Sequence, residues 1–600
     1  MKPSRLLWIV VVLVLQAAHL GAQEPRRDYL SLGWTDDDRD WFYYTTQGSR
    51  LLPYRWFLAL EQAGNSKLLR DNANIEAMGF LPGSVSARNP DGLPIGFAKD
   101  TDEPERAFDL KLAQLMTGVT AGEYKLIRQE DAKVFAATSK LLPVPNSAKR
   151  RPEKLKPVPA DSYAEREWLG LTCAACHTGS FLVKEREQSD LAELIVDGAP
   201  AMADLTRLLE DVVASLYATV NEPDKFRRFA DRVIPDGDDG QRDRLKNSVI
   251  AFTQGLAGLA GRSRPVSPFG FARLDAFGIL LNEIAGTAIE QPDNWRQPNA
   301  PVSYPFLWNT PDLDWVQWNG FAHSTLARNT GEVLGVFADL RMSDLTKIKT
   351  SANLQNLYEL EERVKKLASP AWPEKYLGEI NQALAERGGK VYREQKCAEC
   401  HALPPYPMTA PTAPARSLIE IEMIPLAEIG TDPAMAVSII ARTGKTGSLK
   451  PLLNGQEVAP IGQIFSAAVG TVVKSEFDRL AIPPEQRFKM NDRRGSKIPT
   501  VEHLAGYKAR PLNGIWATAP YLHNGSVPTL YHLLQPPHKR PVVFHVGDRE
   551  FDVQNVGLKS DAGAFEFNTE LPGNRNTGHY YGTNMGDDDR QALIEYLKTL

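Results

Sequence analysis

A mainly α-helical fold with long irregular loops and little β structure is what this 600-residue chain predicts, on three observations. Apolar residues recur at helical spacing: Leu205, Leu208, Leu209, Val212, Val213 and Leu216 share one face, as do Leu354, Leu357, Val364 and Leu367. Stretches that alternate apolar and polar residues with the two-residue period of a half-buried strand are few. The 43 prolines and 44 glycines interrupt the helices often and leave much of the chain to loops.

In chain order, Met1 to Ala22 comes first, with basic Lys2 and Arg5, an apolar run from Leu6 to Leu15, and small Gly21 and Ala22. That is the anatomy of a secretory signal peptide cut near Ala22. The run is too short to cross a bilayer, and no later segment approaches the eighteen or so apolar residues that would, so no transmembrane anchor is expected. The ~580 residues left after cleavage exceed the size at which a single core keeps growing. Two haem-sized domains are therefore expected, residues 23–368 and 369–600, with the boundary where Ser369-Pro370-Ala371-Trp372-Pro373 breaks the helix that ends at Ala368. Ser147 to Pro159, with Lys149, Arg150 and Arg151, and Ala402 to Ala415, with five prolines, read as long loops. Gly389 to Lys396 reads as a short helix, and Asp587 to Leu600 as a last helix with an acidic first turn and an apolar stripe of Leu593, Ile594 and Leu597. The net charge of −5, from 69 basic and 74 acidic residues, shows no bias toward nucleic acid or anionic membranes.

All four cysteines fall in two copies of one pattern, Cys173-Ala174-Ala175-Cys176-His177 and Cys397-Ala398-Glu399-Cys400-His401. C-x-x-C-H is the attachment signature of c-type haem. Two thiols three positions apart on a turn reach the two vinyl groups of one porphyrin, and the next imidazole coordinates its iron. A zinc ribbon would use the four thiolates but not the histidines, and a redox pair or disulfide would not need them either. In a chain with ten histidines, one directly after each pair favours haem. Two covalently bound haem c groups are therefore expected, one per domain, each domain cytochrome c-like. Attachment outside the cytoplasm agrees with the leader and implies a periplasmic or secreted protein. Each iron has its proximal ligand, His177 or His401; what stands opposite decides whether it reacts or only conducts.

Tyr507 to Leu530, containing Ala519-Pro520-Tyr521-Leu522-His523-Asn524-Gly525, resembles the segment that follows the second haem motif in bacterial di-haem cytochrome c peroxidases. Gly578-His579-Tyr580-Tyr581-Gly582, together with Trp315-Val316-Gln317-Trp318-Asn319-Gly320 and Leu326-Ala327-Arg328-Asn329, resembles more closely the rubber-oxygenase branch of that superfamily. The resemblance covers most of residues 165–600. It implies that His579 is the second axial ligand opposite His401, giving a closed, low-spin haem; Met585 is the rival. His523 would order the haem edge, and Arg510 and Arg273 are candidates to hold propionates. By elimination the haem on His177 is the reactive one. Residues 315–329 are then its expected distal wall, with Trp315 and Trp318 excluding water and His323, Arg328 or Asn329 donating hydrogen bonds to bound dioxygen or peroxide. The tryptophans read equally well as core aromatics. Calcium between the domains, present in some relatives, stays open.

Three functions follow. One is an oxygenase-like enzyme in which the first haem activates dioxygen beside an apolar organic substrate. The second is a peroxidase that cleaves hydrogen peroxide, with Glu332 one candidate acid/base and electrons supplied by a small donor cytochrome or cupredoxin. The third is a two-haem electron carrier, which would need another ligand on the first iron, with His323 the candidate. A histidine at 579, where peroxidases often use methionine, weighs against the second.

Overall fold

The computed structural model describes residues 25–101, 107–117, 166–184, 191–322, 324–411, 416–491 and 499–600. The leader, the Ser147–Pro159 loop and His323 lie outside them, as do residues 412–415 of the proline-rich loop. Of the described residues 43% are helical and 16% lie in strands, spread over several small sheets. The fold is mixed α/β, which corrects the expectation of a mainly α protein with little β.

The strands concentrate around the first haem motif. β1 (Arg26–Tyr29) runs parallel to β6 (Leu191–Asp197), which pairs antiparallel with β5 (Thr178–Lys184). A second sheet has β4 (Glu167–Leu171) between β2 (Leu52–Pro53) and β3 (Phe97–Thr101). Cys173 to His177 is the connection from β4 to β5. These strands carry no alternation because they are short and covered on both faces: Ala192 through Asp197 are all buried, as are Trp168 through Leu171. A short apolar run bounded by turns reads the same whether it is a buried strand or a piece of helix.

The helices follow their stripes more closely. α1 (Leu205–Asn221) buries Leu205, Leu208, Leu209, Val212, Val213 and Leu216, the predicted face. α2 (Thr325–Gly335) packs on α3 (Leu354–Val364), which stops four residues before the expected Ala368 because the chain turns so that the Ala368 N–H can donate to the Leu32 carbonyl at 2.8 Å. α4 (Gln382–Glu394) crosses the final helix, α6 (Asp587–Leu597), and α5 (Ile461–Arg479) lies against α2. The largest hydrophobic core draws side chains from Leu32 to Leu597, so both halves of the chain contribute to it.

The α4–α6 crossing is close enough to exclude side chains. A Cβ on Gly388 would collide with the Ala592 carbonyl and with Tyr596. Gly388→Val is therefore expected to lower unfolding stability by about 1–3 kcal/mol or more through overpacking, readable as an earlier urea midpoint. A midpoint equal to wild type would mean that the crossing is looser than it stands.

Candidate functional site

The first motif is pinned by its flanks. The Thr172 hydroxyl accepts the Ala174 N–H and donates to the carbonyls of Phe42 and Tyr43, while the His177 N–H closes a turn on the Cys173 carbonyl at 2.9 Å. Gly96, at φ +83°, lets the β3 entry lie against the Ala175 backbone, where any Cβ would clash. The Cys173 thiol donates to Gln47 Oε1 at 3.3 Å, Cys176 meets the Tyr304 hydroxyl, and the His177 ring lies edge-on to Tyr304 with centroids 6.2 Å apart. Burial pushes both thiols up to about 12 and the His177 imidazole down to about 4. The Pro305 carbonyl lies beside the ring without reaching full hydrogen-bond geometry, leaving Nδ1 unpaired. Cys173, Cys176 and His177 are nevertheless only partly buried. Two thiols beside a neutral imidazole fit the attachment of a haem.

Arg328 and Glu332, one turn apart on α2, both act electrostatically on Cys173. Arg328 is not free to swing. Its Nη2 meets Glu361 Oε2 at 2.6 Å, Nε and Nη2 reach Asn329 Oδ1 at 3.0 and 2.8 Å, and Asn329 Nδ2 donates to the Leu357 carbonyl. The Arg328–Asn329–Glu361 cluster ties α2 to α3. Glu332 bonds Gln317, and burial raises its carboxyl above the ordinary range against the pull of Arg328 and Gln317. A cavity of about 820 Å³ opens beside Arg328 and Glu332, with none of Cys173, Cys176 and His177 among its lining residues. Gln317, Arg328 and Glu332 form its polar side, and Phe321, Phe465 and Val469 belong to its apolar side along α5.

The second motif follows α4 through Lys396, at φ +61°, into a single helical turn, Cys397–Cys400. Tyr392 donates its hydroxyl to the His401 carbonyl at 2.7 Å. His401 Nδ1 lies 2.8 Å from the Arg510 carbonyl, which can only accept, so Nδ1 carries the proton and Nε2 keeps its lone pair for a metal. Across a cavity of about 330 Å³ stands His579, its ring centroid 6.4 Å from that of His401. Two metal–nitrogen bonds of about 2.0–2.1 Å plus roughly 1.2 Å from each ring centre to its nitrogen come to about 6.4 Å, the separation of two imidazoles sharing one metal. Burial, then the neighbouring His401 and Arg540, pushes His579 down to about 3, so it is a neutral donor. Leu530, Leu533, Leu534, Leu593 and Leu597 supply apolar walls. The arrangement fits haem.

The other expected site residues are distributed as follows. Arg510 is buried, stacks over Phe306 at 3.4 Å and donates to the carbonyls of Phe306 and Trp308; its Nε has no partner and burial pushes the guanidinium down to about 9. Arg273 is the same kind of group, over Phe567 at 3.9 Å, donating to the Phe269 carbonyl and Asn574 Oδ1, with Nη2 unpaired. Arg510, a buried guanidinium without a carboxylate in the wall of the second cavity, suits a propionate, whereas Arg273 lines neither cavity. His523 stacks on Tyr507 at 3.9 Å and lines the second cavity. Trp318 also lines the second cavity, its indole donating to the Ser303 carbonyl, whereas its neighbour Gln317 lines the first. Trp315 packs on His503 at 4.2 Å. Met585 is buried but is not among the residues lining the second cavity. Tyr304, Tyr392, Gln47, Glu361 and Arg540 escaped sequence reasoning; none carries a motif signal, and each is brought in by tertiary packing. Among the described residues no cluster of three or more His, Cys, Asp or Glu is arranged to hold a metal ion, and no helix is long and apolar enough to cross a membrane.

Residues 506–545 match the family described as RoxA-like, cytochrome c-like. That stretch contributes Arg510 and His523 to the second cavity. The chain is 32% identical over 620 aligned positions to the uncharacterized protein y4iJ of Sinorhizobium fredii, covering 95% of this chain and 93% of that one. It is 26% identical over 302 positions to y4iM of the same organism, another uncharacterized protein, across 49% of this chain and 58% of the relative.

Proposed function

Because the chain belongs to the same family as y4iJ and carries a RoxA-like cytochrome c segment, we propose that it is an exported di-haem c-type oxidoreductase, nearest the rubber-oxygenase-like branch of the di-haem peroxidase superfamily. The observation that carries this reading is the difference between its two sites. At the second, His579 stands opposite His401 at the separation one shared metal requires. At the first, the ring against His177 is Tyr304, and the groups acting on its thiols are Arg328 and Glu332. We read the second site as closed, for electron transfer or tuning, and the first as open among the described residues, which leave out His323. Haem bound at His177 would supply an iron able to take up dioxygen or peroxide.

The protein's own residues do the rest. Gln317 and Glu332 offer a hydrogen-bonding pair on the polar side of the large cavity, while Phe321, Phe465 and Val469 exclude water and accept an apolar organic molecule. Trp318 and Lys508 stand toward the second cavity, with Gln317 and Glu332 toward the first. A peroxidase is the second reading, favoured by Glu332, a cavity-lining carboxyl whose hold on its proton burial strengthens. Export to the periplasm, and exchange of electrons with a small donor cytochrome or cupredoxin, complete the proposal.

Electron paramagnetic resonance on purified protein tests it. One high-spin and one low-spin haem are expected; two low-spin haems inert to dioxygen and peroxide would leave only the electron carrier. Oxygen uptake with an apolar substrate, against peroxide turnover with a reduced small cytochrome, then separates the enzymes. Val469→Trp, which fills the cavity beside Phe465, is expected to lower kcat/KM for the apolar substrate by about tenfold or more while both spectra stay unchanged. Unaltered turnover would place the substrate elsewhere.

A further inference from the structure

His401 and His579 differ in how they are held. The His401 ring is oriented in the manner usual for metal-ligating histidines, through its second nitrogen on the Arg510 carbonyl. His579 Nδ1 is buried and has no partner, so nothing bonded to the ring sets its direction. Its backbone is gripped instead. The His579 N–H donates to the Ile429 carbonyl at 2.8 Å, and its own carbonyl accepts from Arg540 Nη2 at 2.9 Å.

Arg540 is only 3% exposed and spends all its donors on carbonyls. Nη1 reaches Asn576 at 2.6 Å and Gly578 at 2.9 Å, Nη2 also reaches Leu533 at 3.2 Å, and Nε reaches Gln535 at 3.1 Å. No described carboxylate pairs with it, and burial pushes the guanidinium down to about 10. Burying a cation without an acid is costly, and packing alone would be served better by an apolar side chain. What only a planar fork supplies is simultaneous, directional contact with several carbonyls. Three of these belong to the turn that presents the ligand, in which Gly578 sits at φ +71° against Gly430 and His579 itself at φ +47°. A histidine in the left-handed region needs outside support to stay there.

We propose that Arg540 is the positioning residue of the second haem, fixing the 576–579 turn so that the otherwise unoriented His579 ring is delivered to the iron. The inference rests on the reading of His401 and His579 as the two axial ligands. Its test compares the holoprotein with Arg540→Met, Arg540→Lys and Arg590→Met. Arg590 is a buried guanidinium close by that donates to the Leu534 and Met585 carbonyls but touches no residue of the turn, so it controls for general loosening. The readouts are the low-spin signal of the second haem and the cyanide concentration that displaces its sixth ligand. Arg540→Met should lose part of the low-spin signal and yield to cyanide at about 10- to 100-fold lower concentration, the size of effect typical for groups that support a metal ligand. Arg540→Lys, keeping the charge without the fork, should fall nearer to Arg540→Met than to wild type, and Arg590→Met should match wild type. A wild-type cyanide titre in Arg540→Met, full rescue by lysine, or an equal shift in Arg590→Met would overturn the proposal. A wild-type protein lacking the low-spin signal would instead sink the axial-ligand reading on which it rests.

Discussion

His579→Ala is expected to turn the second haem from low spin to high spin while the first keeps its spectrum. The substitution removes the imidazole 6.4 Å from His401 and touches neither Cys397 nor Cys400, so covalent attachment should persist and the iron should lose one ligand only. His401 stays oriented by the Arg510 carbonyl, and Met585 is not placed to take over. The measured change would be nearly complete conversion at one centre, seen by electron paramagnetic resonance and by the visible spectrum, together with new binding of carbon monoxide or cyanide there. An unaltered low-spin signal would mean that another residue faces His401.

The complementary experiment is Cys173→Ser with Cys176→Ser. Mass spectrometry is expected to show two covalent haems in the parent and one in the variant, and the remaining centre should be wholly low spin. Reaction with dioxygen and peroxide should vanish, since the open site goes with the lost haem. Glu332 and Arg328, which act on Cys173, then face a site without iron. Retained reactivity would move the chemistry to the second haem and reverse the roles assigned to the two halves.

Legibility from sequence followed the chemistry. The two C-x-x-C-H units needed no fold to be read, and the crossing of the helices at 382–394 and 587–597 agrees with their apolar stripes. Pairing His579 with His401 came from resemblance alone, because no local pattern links positions so far apart. The strands around Cys173 were missed since Leu191–Asp197 is buried throughout and shows no period. Arg540 could not be found because its acceptors are backbone carbonyls, which every sequence has. Trp315 and Trp318 looked alike as text, yet one packs on His503 and the other lines the second cavity; the turn between them, with Gln317 at φ +64°, separates them.

The setting of the Cys173 and Cys176 thiols bears on how the molecule is made. The Cys173 thiol rests on Gln47 and the Cys176 thiol on Tyr304, both partly buried in the link between two strands. On the proposed reading, porphyrin would be stitched to these sulfurs before the flanking strands close, so that pigment would precede architecture in this half of the molecule.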